Sequence, residues 1–180
     1  MTNVGSIYGQ ALYDLALSEG LAAEIGKQLA VLDRCFTQET PEFLRLLGAP
    51  TLSKEERCKI LDDSFRGQVQ PYVLNFLKIL TEKGYMRYFS DCCSTYRDCY
   101  NKDNNILPVK ATTAVALTQD QVLHLKEKLG ALTGKEIART NHLEPKLLGG
   151  VRLDYDGKRL DDTIANRLDR IRGLLENTVL

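Results

Sequence analysis

The sequence predicts a mainly helical chain in two parts: an N-terminal six-helix bundle over 1-105, then a smaller α/β C-terminal domain over 106-180 with a hairpin and a terminal helix. Three observations carry this. Through the first hundred residues apolar side chains recur at helical spacing between Gly and Pro breaks. From Leu107 the apolar residues fall instead on alternate positions, the period of a strand. Near the end, Asp156-Gly157 sits between alternating flanks, a strong local signal for a two-residue hairpin turn.

In the first part, Ile7, Tyr8, Ala11, Leu12, Leu15 and Ala16 share a helical face, and Gly20 stops that helix. Ile25, Leu29, Leu32 and Phe36 repeat the pattern until Thr40-Pro41, where proline disfavours a helical residue before it. Pro41 to Leu47 reads as a short third helix closed by Gly48. Ser53 and Glu56 have the spacing of a capping box, so a fourth helix starts there, presents Cys58, Leu61 and Phe65, and ends around Gly67.

Pro71 opens a fifth helix whose polar strip is narrow, only Asn75, Lys78 and Glu82. It has more apolar surface than one core face needs. Two readings stay open: a central helix enclosed by the others, or one wall of a groove for an incoming amphipathic helix. Complete enclosure of Tyr72 to Leu80, with no cleft beside the opening helix, would defeat the second. A sixth helix follows from Met86, Phe89, Cys93, Tyr96 and Tyr100, and polar Asn101 to Asn105 marks the boundary.

In the second part, Leu107, Val109, Ala111, Thr113, Val115 and Leu117 alternate as a strand. Thr118 and Gln121 form a second capping box for a helix through Leu125, Leu129 and Leu132, ended by Gly134. Ile137 to Leu143 is a weaker strand. The hairpin around Asp156-Gly157 precedes a last helix in which Ile164, Leu168, Ile171 and Leu175 lie on one face, with Arg167, Arg170 and Arg172 on the other.

Composition narrows function by exclusion. Lys plus Arg and Asp plus Glu are equal at 24 each, so no net charge draws the chain to nucleic acid or an anionic membrane. No apolar run approaches the roughly 18 residues needed to span a bilayer. The start shows no basic and apolar leader pattern, which gives an expectation of neither export nor import. Five cysteines, all in the first hundred residues, argue for reduced thiols filling a helical core rather than a disulfide framework.

Catalytic and ligand motifs fail on inspection. Gly134-Lys135 is followed by Glu136, and Leu129 stands where a phosphate loop needs its first Gly. Gly149-Gly150 lacks the third glycine of a dinucleotide fingerprint and reads as a tight turn into the sheet. Aligning Asp156-Gly157 with a calcium loop puts Arg152 at the first ligand position and Thr163 at the last. The sequence thus implies no catalytic residue, no cofactor site and no metal site.

The order Leu147-Leu148-Gly149-Gly150, strand, Asp156-Gly157, Leu160-Asp161, Thr163-Ile164 and Arg167-Leu168 resembles the C-terminal signature of the delta subunit family of F-type ATP synthase, which includes the mitochondrial oligomycin-sensitivity-conferring proteins. Tyr8, Ala11 and Leu12, Asn75-Phe76-Leu77, Glu82-Lys83-Gly84, Ala111-Thr112 and Thr133-Gly134-Lys135 extend the resemblance over nearly the whole chain. Departures are Gly9, where the family usually has Ala, and Asp162 and Asn166, where it often has Gly.

The resemblance implies a non-catalytic stator, or peripheral stalk, subunit serving proton-driven ATP synthesis. It would link the alpha/beta hexamer to the b stalk at the cytoplasmic face of the cell membrane, as a peripheral membrane protein without direct membrane insertion. Helices one and five would receive the N-terminal helix of an alpha subunit, through Tyr8, Ala11, Leu12, Phe76 and Leu77. The b-subunit stalk would meet the C-terminal domain, with Arg167, Leu168, Arg170 and Ile171 as local contributors and Leu168 and Ile171 also candidates for core. The competing readings are a helical adaptor of another assembly and a thiol-dependent enzyme using Cys35, Cys58, Cys92 or Cys93.

Overall fold

A computed structural model describes residues 3–48 and 52–168. It divides into two compact units, Met1–Tyr100 and Asn101–Leu180.

The first unit holds six α-helices: α1 Asn3–Ser18, α2 Ala22–Arg34, α3 Pro41–Gly48, α4 Lys54–Phe65, α5 Pro71–Glu82 and α6 Phe89–Asp103, the last turn of α6 belonging to the second unit. Local chemistry sets the breaks. Gly20, Gly67 and Gly84 each take positive φ after a helix. The Ser53 hydroxyl accepts from the Glu56 amide at 3.2 Å and the Glu56 carboxylate accepts from the Ser53 amide at 2.8 Å, completing the capping box. Pro71 occupies the first turn of α5, where its missing N–H has no partner to lose.

One feature was not visible in the spacing. α2 does not run on as α-helix to Thr40 but widens into a π-helical turn over Cys35–Glu39. The Thr40 amide and hydroxyl both donate to the Cys35 carbonyl, at 2.7 and 3.1 Å, and close it. The turn keeps Phe36 inward, stacked on Phe43 at 5.5 Å and edge-on to Phe65 at 6.0 Å. The core continues through Leu29, Leu61, Val73, Leu77, Leu80, Phe89 and Tyr96, all buried.

α1 and α6 approach closely because residue 9 is glycine. A Cβ there would lie 2.5 Å from the Cys92 carbonyl oxygen and 2.9 Å from Thr95 Cβ. The departure at Gly9 is therefore a packing adaptation to the side of α6 that carries Cys92 and Thr95.

The second unit is a four-stranded sheet in the order β2-β1-β3-β4, with β1 Ile106–Thr113, β2 Glu136–Leu143, β3 Val151–Tyr155 and β4 Lys158–Asp161. β1 and β2 are parallel, and α7, Gln119–Thr133, supplies the crossover that a parallel pair requires. Thr118 and Gln121 cap α7 reciprocally, and Gly134 ends it in the left-handed region. Asp156 and Gly157 both take positive φ, as the two-residue β3–β4 hairpin demands. β1 stops at Thr113, short of the expected Leu117. Thr113 Oγ1 turns back to donate to the Val115 carbonyl at 2.7 Å, and Val115 is left exposed.

Behind the hairpin, Gly149 and Gly150 do more than turn the chain. A Cβ on Gly150 would lie 2.3 Å from the Asp162 carbonyl oxygen, and one on Gly149 would lie 2.7 Å from Ile164 Cδ1. The chain leaving β4, Asp162 to Ile164, thus passes directly over the glycine pair, and Ile164 N donates to the Gly149 carbonyl at 3.0 Å. Residues 164–168 then turn into helix. Thr163 caps them, its hydroxyl accepting from the Asn166 amide at 3.2 Å, and Asn166 Nδ2 donates to the Asp161 carbonyl at 3.1 Å. Asn166 therefore has its own role in the turn.

Candidate partner-binding surfaces

In the first unit α1 and α5 run side by side in opposite directions. Tyr8, early in α1, meets Tyr85 just beyond α5 edge-on at 5.8 Å between ring centroids. At the other end the Tyr72 hydroxyl pairs with the Glu19 carboxylate, which holds the phenol above its usual value. The inner faces of both helices enter the core. Their outer faces keep apolar groups in solvent: Ile7, Ala11 and Leu15 on α1, one turn apart, and Ile79 on α5.

The residues singled out in the sequence divide on this surface. Ala11 is exposed and Tyr8 half-buried. Leu12 and Phe76 are buried and Leu77 is 0% exposed, so these three lie on the inner side of their helices. Tyr72 to Leu80 is not wholly enclosed, because Asn75 and Ile79 reach solvent. Ile7 and Leu15 were on the expected helical face but were not assigned to the site; only burial could separate them from Leu12.

In the second unit Arg167 pairs with Asp162, Nε at 3.0 Å and Nη2 at 2.6 Å from one carboxylate oxygen. Leu168 is 52% exposed, so it is not core within this unit. Arg170 and Ile171 lie outside the described residues, as do Arg172 and Leu175.

The four candidate thiols, Cys35, Cys58, Cys92 and Cys93, show none of the activation that nucleophilic chemistry requires. Burial, then the Glu39 hydrogen bond, pushes Cys35 up. Burial, then Glu82, does the same for Cys58. Burial pushes Cys92 up to about 11 and raises Cys93 as well. A reactive cysteine needs the opposite shift. Among the described residues no group of three or more His, Cys, Asp and Glu side chains is placed to hold a metal. Nor is any helix among them long and apolar enough to cross a membrane.

Exposed apolar side chains on both units, with Cys35, Cys58, Cys92 and Cys93 shifted away from reactivity, suit a scaffold that holds other proteins. Comparison with known proteins makes this specific. Residues 4–175 match the ATP synthase delta (OSCP) subunit family, and the chain belongs to that family. It is 33% identical to the ATP synthase subunit delta of Alkaliphilus oremlandii over 92% of this chain and 91% of that protein. It is 26% identical to that of Clostridioides difficile over 98% and 97%. Its fold matches a chain in the Toxoplasma gondii mitochondrial ATP synthase hexamer, at TM-score 0.76 and 16% identity over 97% of this chain and 98% of that one. As a family member it is a non-catalytic stator subunit of ATP synthase, peripheral to the membrane as part of the complex.

Proposed function

We propose that the N-terminal unit, 1-105, grips the N-terminal helix of an ATP synthase alpha subunit along α1 and α5, while the C-terminal domain, 106-180, engages the b-subunit stalk. The chain then ties the alpha/beta hexamer to the membrane-anchored stalk, at the cytoplasmic face of the cell membrane, and resists rotor torque. Such a task needs slow dissociation spread over interfaces of on the order of 1,600 Å² rather than chemistry.

The observation that carries this reading is the antiparallel α1–α5 pair, fixed at both ends by tyrosine contacts and apolar on its outer side at Ile7, Ala11, Leu15 and Ile79. Ala11 and Tyr8 touch the incoming helix directly. Leu12, Phe76 and Leu77 act from beneath, setting the spacing of the two helices. In the C-terminal domain Leu168 offers an exposed apolar contact beside Arg167, and Arg170 and Ile171 continue the same segment in sequence.

The test is titration of a labelled alpha-subunit N-terminal peptide into the full chain. Ile79→Asp, at an exposed position, is expected to weaken binding by about 2 kcal/mol, roughly thirtyfold, with circular dichroism unchanged. Unchanged affinity in both Ile79→Asp and Ile7→Asp would remove this surface from the contact.

A further inference from the structure

A second apolar feature of the first unit draws nothing from α1 or α5. It is a cleft of about 520 Å³ bounded by α2, the π-helical turn, α3 and the end of α4. Its volume lies within the range of small-molecule sites. Phe36, Phe43 and Phe65 form its inner wall, every pair of rings in contact at 5.5 to 6.0 Å. Val31 and Val69 extend the apolar lining toward the mouth.

Several of the polar groups around this wall are already committed to hydrogen bonds or an ion pair. Gln28 Oε1 accepts from the Gln70 amide at 2.8 Å. The Thr40 hydroxyl donates to the Cys35 carbonyl, and the Cys35 thiol points to Glu39. Glu39 pairs with Arg34 at 3.3 Å. Among the described residues Lys27, exposed on α2, is the only basic residue lining the cleft, and no ion pair to it occurs. The lining therefore presents an aromatic floor, a paired acid and one uncommitted positive charge.

We propose that this cleft binds a small amphipathic anion: an aromatic or aliphatic body on the phenylalanine wall, with a single carboxylate or sulfonate at Lys27. The body is desolvated against Phe36, Phe43 and Phe65, and the head remains at the solvated rim. A dianion or a cation is disfavoured, because Glu39 and its partner Arg34 leave no second unpaired charge to meet it. The π-helical turn forms one side of the site, contributing Cys35, Phe36 and Glu39 to its lining.

The experiment uses the full chain, with anilinonaphthalene sulfonate as fluorescent probe and decanoate as competitor. Saturable fluorescence displaced by decanoate is expected, with bound probe slowing alkylation of Cys35, mapped by peptide mass, about fivefold or more while leaving Cys58 unaffected. Lys27→Glu is expected to weaken the probe about tenfold, since reversing one charge near a protein surface changes an ionic contact by this order. Val31→Trp, at a position already 55% exposed, should fold normally and block the cleft. Absence of saturable binding would overturn the proposal, as would binding that leaves Cys35 alkylation unchanged. Binding lost in Val31→Trp but indifferent to Lys27→Glu would overturn the anionic class. A dimer of the chain dissociated by the probe would assign the cleft to a second copy instead.

Discussion

The two units solve the same problem of a limited interior in opposite ways. In the helical unit one core runs through all six helices, and its side chains interlock ring on ring from Phe43 through Phe36 and Phe89 to Phe76. The α/β unit gathers a much smaller cluster, Leu107, Val109, Ala111, Leu129, Ile137 and Leu153, on one face of its sheet. It leaves Leu123, Leu132, Leu143, Leu148 and Leu160 in solvent. Apolar residues in the first unit mostly report on folding; in the second, many report on what the unit can touch. Hydrophobicity read along a sequence does not separate these two uses, and burial does.

Paired substitutions test this contrast most severely. Leu77→Asp places a carboxylate where the wild-type side chain is 0% exposed, and is expected to cost more than about 4 kcal/mol and unfold the helical unit. Leu132→Asp, at a side chain 81% exposed, should change stability by less than about 0.5 kcal/mol. Chemical denaturation of the full chain, followed by circular dichroism, measures both. Similar costs for the two would erase the distinction between the units. Leu77→Asp cannot serve as a probe of partner binding, because loss of the fold would remove the surface along with the residue.

Gly9→Leu probes the close approach of α1 to α6 in the first unit. Its Cβ alone would sit 2.5 Å from a backbone carbonyl that belongs to α6 and cannot swing aside. Overpacking at such a site is expected to cost about 3 kcal/mol, seen as a lower denaturation midpoint. Gly9→Ala should cost less, because it adds only the Cβ and none of leucine's further atoms to the crowded contact. A neutral Gly9→Leu would mean that α1 and α6 separate freely.

Alkaline pH should weaken the first unit selectively. Burial raises Cys92 to about 11 in the folded unit and Cys93 too, whereas an unfolded thiol loses its proton near 8.5. Between those values the folded state binds more protons than the unfolded one. Stability from the buried neutral thiols is therefore complete below about pH 8.5 and falls as pH rises toward 11. By about pH 10.5 most of the loss attributable to Cys92 has set in. Cys92→Ala should flatten the dependence of midpoint on pH. The second unit has no cysteine, so its transition provides the internal reference.

Most of the architecture was legible because it is local. Both capping boxes, the glycine stops and the Asp156-Gly157 hairpin follow from hydrogen bonds and φ values within a few residues. The π-helical turn at Cys35–Glu39 was not, since nothing in the spacing of Leu32 and Phe36 separates a widened turn from a regular one. The alternation through Val115 and Leu117 overran the true strand because period alone does not see where the partner strands end. The docking surface was half legible. Helical spacing put Ile7, Tyr8, Ala11, Leu12 and Leu15 on one broad face, but only the approach of α6 at Gly9 decides which of them turn inward.

The smallest expected effect sharpens the comparison from the other side. Gly130 lies inside α7 as Gly9 lies inside α1, yet a Cβ there would meet only the Lys135 carbonyl oxygen at 3.6 Å, an ordinary contact. Gly130→Ala should stabilise the second unit by about 0.5–1 kcal/mol, since the helix gains propensity without a clash. The two glycines have opposite signs because α1 is pressed against another helix at Gly9, whereas among the described residues a Cβ at Gly130 meets no close neighbour. A destabilised Gly130→Ala variant would show that the face of α7 around residue 130 is already occupied within this chain, and would leave less of that helix available to a partner.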